Sequence, residues 1–319
     1  MTPLDDLHRA ELGPIAALQA LPDWLRPVME VVSLFGTDTF FLFLLPVLYW
    51  CVNPRLGLRL GVVVLAAAWT NAVFKLLLHQ PRPYWIDTRI RALSVEGSFG
   101  LPSGHAQIAA ATWGALAAMV ARPWAWWTAG VTMVLIALSR VYLGVHFISD
   151  VVAGLALGLA VLVVVVKGER PATAWWVRQG LAVQIGTAGL VSGVMLGLAA
   201  FVRPGGALPV AWGDVDPLNL ETLVAMSGSV LGMLAGASVM WRLGWFDAGG
   251  PLGRRVARWA LGSAVVGLLW YGLRELLPPD DVLRYLRYAV LSLWVQLGAP
   301  LTFIRLGLMS RAKQPEPAP

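Results

Sequence analysis

Charge is what this chain has least of. Of its 319 residues 13% are Asp, Glu, Lys or Arg, while 58% are hydrophobic. Soluble domains carry about a quarter charged residues, so a water-bathed globular fold is excluded and the excess apolar surface calls for a bilayer. The mean hydropathy of +0.69 agrees. Cysteine is nearly absent: Cys51 stands alone, which excludes an intramolecular disulfide and a thiolate zinc cage. The start of the chain lacks the basic stretch and short apolar run of a secretory signal. Residues 1–27 instead mix Asp5, Asp6, Glu11 and Asp23 with Arg9 and Arg26. They are expected to form an interfacial, amphipathic lead-in, with Trp24 as an anchor and His8 in solvent. A net charge of +6 invites a nucleic-acid reading, but the cations lie between apolar runs rather than along one face. No nucleic-acid partner is expected, and membrane topology accounts for them.

What the chain has in abundance is apolar runs. A membrane helix needs about 20 mostly apolar residues. Nine stretches approach that length, near 28–52, 57–78, 103–121, 124–144, 147–166, 181–202, 219–241, 257–274 and 285–308. The expected fold is an all-α, polytopic membrane helix bundle of about nine transmembrane helices. Its parts are the N-terminal segment 1–27, a core of spans 1–5 over 28–166, additional helices over 167–310 and a disordered tail at 311–319. Two glycine stripes, Gly189, Gly193 and Gly197, and Gly228, Gly232 and Gly236, recur every fourth residue. Such spacing lets helix backbones approach closely. Tyr84, Trp85 and the run Trp124, Trp126 and Trp127 are expected in aromatic belts, and His79 at the interface.

The links near 51–57, 121–124, 167–180 and 242–257 and the C-terminus carry Arg55, Arg59, Arg122, Lys167, Arg170, Arg178, Arg242, Arg254, Arg255, Arg258, Arg311 and Lys313. Only Glu169, Asp247 and Glu316 oppose them there. The positive-inside rule makes that side cytoplasmic and turns the other outward.

Three polar clusters interrupt the apolar pattern, all on the outward side. Lys75 and Arg82-Pro83 leave the second span. Pro102-Ser103-Gly104-His105 opens the third. Ser139-Arg140, His146 and Asp150 bridge the fourth and fifth. Together they gather three cations, two histidines, a carboxylate and a helix N-terminus. That inventory suits phosphoryl transfer, whose transition state spreads negative charge over equatorial oxygens. Lys75, Arg82 and Arg140 supply positive charge. Ser103 and Gly104 offer the free N–H groups of a helix start to an anion. His146 and Asp150, four residues apart, share a helix face. The carboxylate would fix one imidazole nitrogen and leave the other free to attack phosphorus. His105 would protonate the leaving oxygen. With three cations at the site and no carboxylate cluster, metal-independent catalysis without a cofactor is expected.

The pattern Lys75 to Arg82-Pro83, Pro102-Ser103-Gly104-His105 and Ser139-Arg140 to His146 and Asp150 resembles the three-part signature of the type 2 phosphatidic acid phosphatase and haloperoxidase superfamily. The resemblance implies His146 as the nucleophile that forms a phosphohistidine, Asp150 as its partner and His105 as the acid. It implies phosphate binding by Lys75, Arg82, Ser103, Gly104 and Arg140. The nine-span layout and Arg82-Pro-Tyr-Trp85 are similar to the glucose-6-phosphatase branch. The leading expectation is hydrolysis of a lipid phosphate or diphosphate, phosphatidate or a polyprenyl diphosphate. The alternatives are a soluble sugar phosphate or phosphotransfer to a lipid or glycan hydroxyl. The expected setting is a plasma membrane, with membrane lipids around the chain and the site facing outward.

Overall fold

A computed structural model describes residues 3–202 and 216–312. Helices dominate it. In chain order they are α1 (Pro3–Gln19), α2 (Leu25–Leu34), α3 (Asp38–Val47), α4 (Pro54–Leu78), α5 (Pro83–Ile86), α6 (Gly104–Val120), α7 (Pro123–Tyr142), α8 (Ile148–Arg178), α9 (Leu181–Val202), α10 (Glu221–Arg242), α11 (Leu252–Leu276), α12 (Asp281–Leu293) and α13 (Ala299–Arg305). Two five-residue π-helical turns, Leu48–Val52 and Trp294–Gly298, follow α3 and precede α13. Phe246–Asp247 pairs antiparallel with Ser310–Arg311, so the expected tail begins in a short strand pair; residues 313–319 lie outside the described residues.

Every expected apolar stretch is helical, but the count of spans is smaller by length and composition. Among the described residues six helices are long and apolar enough to cross a membrane, or seven if the pair Leu25–Leu34 and Thr39–Val52, bent by 51°, counts as one. The difference between nine and seven has two sources. Helix α6 has 17 residues, and the stretch after α11 is divided by the π turn Trp294–Gly298.

The chain divides into two compact units. The first comprises residues 1–41, 66–167 and 200–220; the second comprises 42–65, 168–199 and 221–319.

The first unit carries all three polar clusters. Its core joins Leu12 and Ile15 of α1 with Ile90, Ala106, Ala137, Val141, Phe147 and Val151. Helix α1 therefore packs on the helices that bear the motifs. Two backbone devices set the start of α6. Gly154 and Gly158 of α8 face the Ser103 and Gln107 carbonyls so closely that a Cβ would collide. Asn71 of α4 donates to the Pro102 carbonyl at 3.0 Å and to Gln107 Oε1 at 2.9 Å. Gln107 in turn reaches the Ala67 carbonyl and Thr70 Oγ1, both at 2.9 Å. In an apolar medium such interhelical bonds also fix helix rotation.

In the second unit α10 lies along α12. Gly228 and Gly232 face the Tyr285 and Ala289 carbonyls, and Gly236 faces Gln296, so this stripe is a packing surface. Gly189, Gly193 and Gly197 meet nothing within 4 Å; that stripe does not pack against the described residues. Arg258 is buried and donates to the carbonyls of Trp50 (2.8 Å), Ala248 (3.1 Å) and Gly249 (2.6 Å).

Candidate active site

Five helix ends of the first unit bring the motif residues together. Lys75 ends α4, and Arg82 immediately precedes α5. Ser103 is the N-cap of α6, whose first turn holds Gly104 and His105. Arg140 ends α7, His146 lies in the link that follows, and Asp150 sits in the first turn of α8. Lys75, Arg82, Ser103, Arg140, His146 and Asp150 are all buried, with Gly104 and His105 half-buried.

Arg82 is the fixed centre of the group. Its Nε donates to the Ser98 carbonyl at 2.6 Å. One terminal nitrogen donates to the Val145 carbonyl at 2.8 Å, the other to the Phe99 carbonyl at 3.1 Å. The nitrogen that meets Val145 also lies 3.3 Å from His146 Nε2. A guanidinium has donors and no acceptor, so Nε2 must present its lone pair and the ring proton must sit on Nδ1. Nδ1 then points at Asp150 Oδ2, 3.3 Å away, which also accepts from the Phe147 N–H at 3.0 Å. Burial, with Arg82 and Lys75 behind it, holds the His146 imidazole well below its ordinary value. His146 is therefore neutral near pH 7, with a free nitrogen directed toward the cations.

The other polar groups converge on the same region. Lys75 Nζ donates to Ser98 Oγ at 2.8 Å, and Arg82 reaches the same hydroxyl at 3.2 Å. Arg140 donates to Ser33 Oγ of α2 at 2.6 Å and pairs with the Glu96 carboxylate. Two buried donors, Ser103 Oγ and Arg140 Nε, lack a hydrogen-bond partner. At the start of α6 the first N–H groups have no intrahelical acceptor, and the Ser103 N–H is tied to the Asp150 carbonyl at 2.9 Å. Unsatisfied donors beside fixed cations are what an oxyanion would satisfy.

Several functional neighbours are not evident from the sequence pattern. Glu96 and Ser98 sit in the loop before Pro102. Burial pushes the Glu96 carboxyl up, but Arg140, then Arg82, His105 and Lys75, outweigh it and bring it down to about 2. Glu11 of α1 accepts from the Ser149 N–H at 3.1 and 3.2 Å and from Ser149 Oγ at 3.1 Å, capping the first turn of α8. His8 is not in solvent: it is buried, its ring stacked on Phe147 at 4.0 Å. Its apolar face is covered because α1 docks on the link that carries His146. Asn71 bonds across helices to Pro102 and Gln107. His79 is half-buried, edge-on to Phe99 at 5.0 Å. Glu96 shares the loop between α5 and α6 with Asp87, Arg89 and Arg91, so nothing local singles it out, nor Ser33, Glu11 or His8.

The geometry defines a class: a helical membrane protein whose helix ends gather three cationic side chains around an oriented histidine. Residues 56–173 match the family model for the PAP2 superfamily, and residues 224–311 match the model for the PAP2 superfamily phosphatase transmembrane extension. Phosphatidylglycerophosphatase B of Bacillus subtilis is 32% identical over 166 residues, covering 48% of this chain and 79% of that protein. Glucose-6-phosphatase 3 of Bos taurus is 31% identical over 174 residues, covering 47% and 50%; this chain thus spans about half the length of that relative. The crystal structure of a transmembrane PAP2-type phosphatidylglycerolphosphate phosphatase from Bacillus subtilis matches with a TM-score of 0.47 and 26% identity, over 54% of this chain and 88% of that one. The chain belongs to the PAP2 superfamily, with its transmembrane extension.

Proposed function

We propose that this chain is a metal-independent membrane phosphatase that works through a phosphohistidine on His146. As a PAP2 phosphatase it is a phosphoric monoester hydrolase; the intermediate and the residue roles are the proposal. The observation that carries it is the placement of His146, whose Nδ1 meets Asp150 Oδ2 while Nε2 meets Arg82, each at 3.3 Å. Lys75, Arg82 and Arg140, with Ser103 and the N–H groups of Gly104 and His105, hold the phosphoryl oxygens. Nε2 forms the P–N bond as the P–O bond to the leaving alkoxide breaks, and His105 gives that oxygen its proton. Positive charge grows on the imidazole, and Asp150 stabilises it. Water then attacks phosphorus, His105 takes its proton, the P–N bond breaks and phosphate is released. The three cations supply the charge neutralisation that a metal supplies in other phosphatases.

The substrate we favour is a lipid phosphate or diphosphate in the plasma membrane, with the site facing outward. Leu77, Leu78 and Ile86 are exposed and apolar and flank Lys75 and Arg82 in the chain, which supports a site where a lipid's phosphate meets its tails. The phosphatidylglycerophosphatase relative supports the same class. The glucose-6-phosphatase 3 relative supports a second reading, a soluble sugar phosphate.

The purified chain is tested against phosphatidylglycerophosphate, phosphatidate, undecaprenyl diphosphate and glucose 6-phosphate, with rapid quenching at high pH to preserve a phosphohistidine. Label from the substrate is expected on His146 and absent in His146→Ala. Full turnover by His146→Ala would refute the mechanism, and preference for glucose 6-phosphate would select the second reading.

A further inference from the structure

We propose that Glu96 is a built-in stand-in for the phosphoryl group: it occupies Arg140 in the resting site, and the incoming anion must displace it. The inference rests on the reading of Lys75, Arg82 and Arg140 as the phosphoryl site and adds a residue that sets how tightly that site holds an anion.

The partners of the three cations fall into two kinds. Arg82 is held by the carbonyls of Ser98, Phe99 and Val145, which no side-chain rotation can withdraw. Lys75 meets Ser98 Oγ, and Arg140 meets Ser33 Oγ and the Glu96 carboxylate. Glu96 and Ser98 are two residues apart on one loop, so one short segment supplies the oxygens that a phosphate would otherwise bring to Lys75 and Arg140. A carboxylate suits the guanidinium fork for the same reason as phosphate, because both present paired oxygens with delocalised negative charge.

The Glu96 side chain is placed to let go while Ser98 and Phe99 stay on Arg82. The Glu96 side chain is 25% exposed, against 2% for Arg140, so it has a way out into water. Val95 before it is 76% exposed, and Gly97 after it has nothing within 4 Å of a Cβ. The contact that steadies the Glu96 backbone is long: Tyr84 Oη lies 3.4 Å from both its N–H and its carbonyl.

Charge requires the displacement. In the resting site three formal positive charges face Glu96 and Asp150. A phosphate dianion bound beside an unmoved Glu96 would leave the pocket with excess negative charge in a poorly hydrated place. The apparent affinity for an anion is the intrinsic affinity reduced by the fraction of molecules with Arg140 free. Return of Glu96 to Arg140 would also help expel product phosphate after each turnover.

The test uses inorganic vanadate and inorganic phosphate as competitive inhibitors of the purified full chain. Glu96→Gln keeps the shape of the side chain and removes its charge. Both inhibition constants are expected to fall about tenfold, equivalent to about 1.4 kcal/mol. Unchanged or weaker inhibition in Glu96→Gln would overturn the proposal, because a carboxylate that merely braces Arg140 would loosen the site when lost. A second measurement needs no change at Glu96. In a Cys51→Ala background, Val95→Cys should change its rate of reaction with a maleimide at least about threefold when vanadate saturates the site, since withdrawal of the adjoining Glu96 carboxylate changes the surroundings of residue 95. An identical rate with and without bound vanadate would refute displacement. Failure of vanadate to bind the unaltered protein at all would sink the phosphoryl-site reading and this inference with it.

Discussion

Replacing Asp150 by Asn separates orientation from charge at His146, the proposed nucleophile. Asp150 Oδ2 accepts from two groups, the Phe147 N–H at 3.0 Å and His146 Nδ1 at 3.3 Å. An asparagine at this position has one oxygen able to serve both. The alternative rotamer would set its NH2 against the Phe147 N–H, donor against donor, and leave that buried amide unsatisfied at a cost of about 1–3 kcal/mol. The oxygen therefore stays in place, the imidazole keeps its proton on Nδ1, and the nucleophilic nitrogen remains directed at the cations. What disappears is the negative charge beside an imidazole that becomes cationic as the P–N bond forms. Loss of one preorganised electrostatic contact of this kind costs about 2.7–4 kcal/mol, or about 10²–10³ in rate. Single-turnover phosphoenzyme formation in Asp150→Asn should slow by that factor, while the vanadate inhibition constant stays within about threefold because the anion site is intact. A rate within about threefold of the unaltered protein would refute the role given to Asp150. A parallel collapse of vanadate binding would show that the carboxylate holds the fold rather than the charge.

Glu11→Ala removes the cap on the first turn of α8 and should destabilise the protein by about 1–2 kcal/mol, read as a lower melting temperature in detergent; an unchanged melting temperature would mean that the cap contributes nothing. Activity of the same variant should fall less than in Asp150→Asn, since Glu11 acts through Ser149 and touches no reacting atom. Saturating EDTA should leave turnover unchanged, and loss of activity restored by a divalent cation would reveal a metal requirement. In a Cys51→Ala background, Val95→Cys should react with an impermeant thiol reagent in intact cells, whereas Gly253→Cys, in an open position at the start of α11, should react only after permeabilisation. The opposite pattern would place hydrolysis on the cytoplasmic face.

Much of the fold and site could be read from residue order because both depend on local features. Apolar runs between charged links mark helices directly, and Pro102-Ser103 and Pro123 mark where α6 and α7 begin. His146 lies in the link just before α8 rather than on a shared helix face, and it meets Asp150 because the carboxylate reaches back over the start of that helix, where it also accepts from the Phe147 N–H. Legibility ends where long-range packing decides. Whether a helical stretch can span depends on bends and breaks, such as the π turn Trp294–Gly298 inside what reads as one apolar run. The two glycine stripes look alike in sequence, yet Gly228, Gly232 and Gly236 receive a neighbour and Gly189, Gly193 and Gly197 do not. His8 reads as a surface residue because its burial depends on Phe147, far along the chain. Glu96 reads as a loop carboxylate because its partner, Arg140, ends a helix that comes later in the chain.

The docking of α1 also sets an order of events during synthesis. Glu11 and Ser149 are separated by 138 positions, and His8 waits for Phe147 in the same way. At roughly 5–20 residues per second, the ribosome delivers Ser149 about 7–28 seconds after Glu11 has left the tunnel. Until then α1 lacks the Ser149 groups that Glu11 caps and the Phe147 ring that covers His8. His146 and the part of α1 that packs beside it become adjacent only when the chain has been threaded as far as α8. A nascent chain stalled before that point already holds Lys75, Arg82, Arg140 and His146 but lacks Asp150, so on the proposed mechanism phosphoryl transfer waits until α8 has begun.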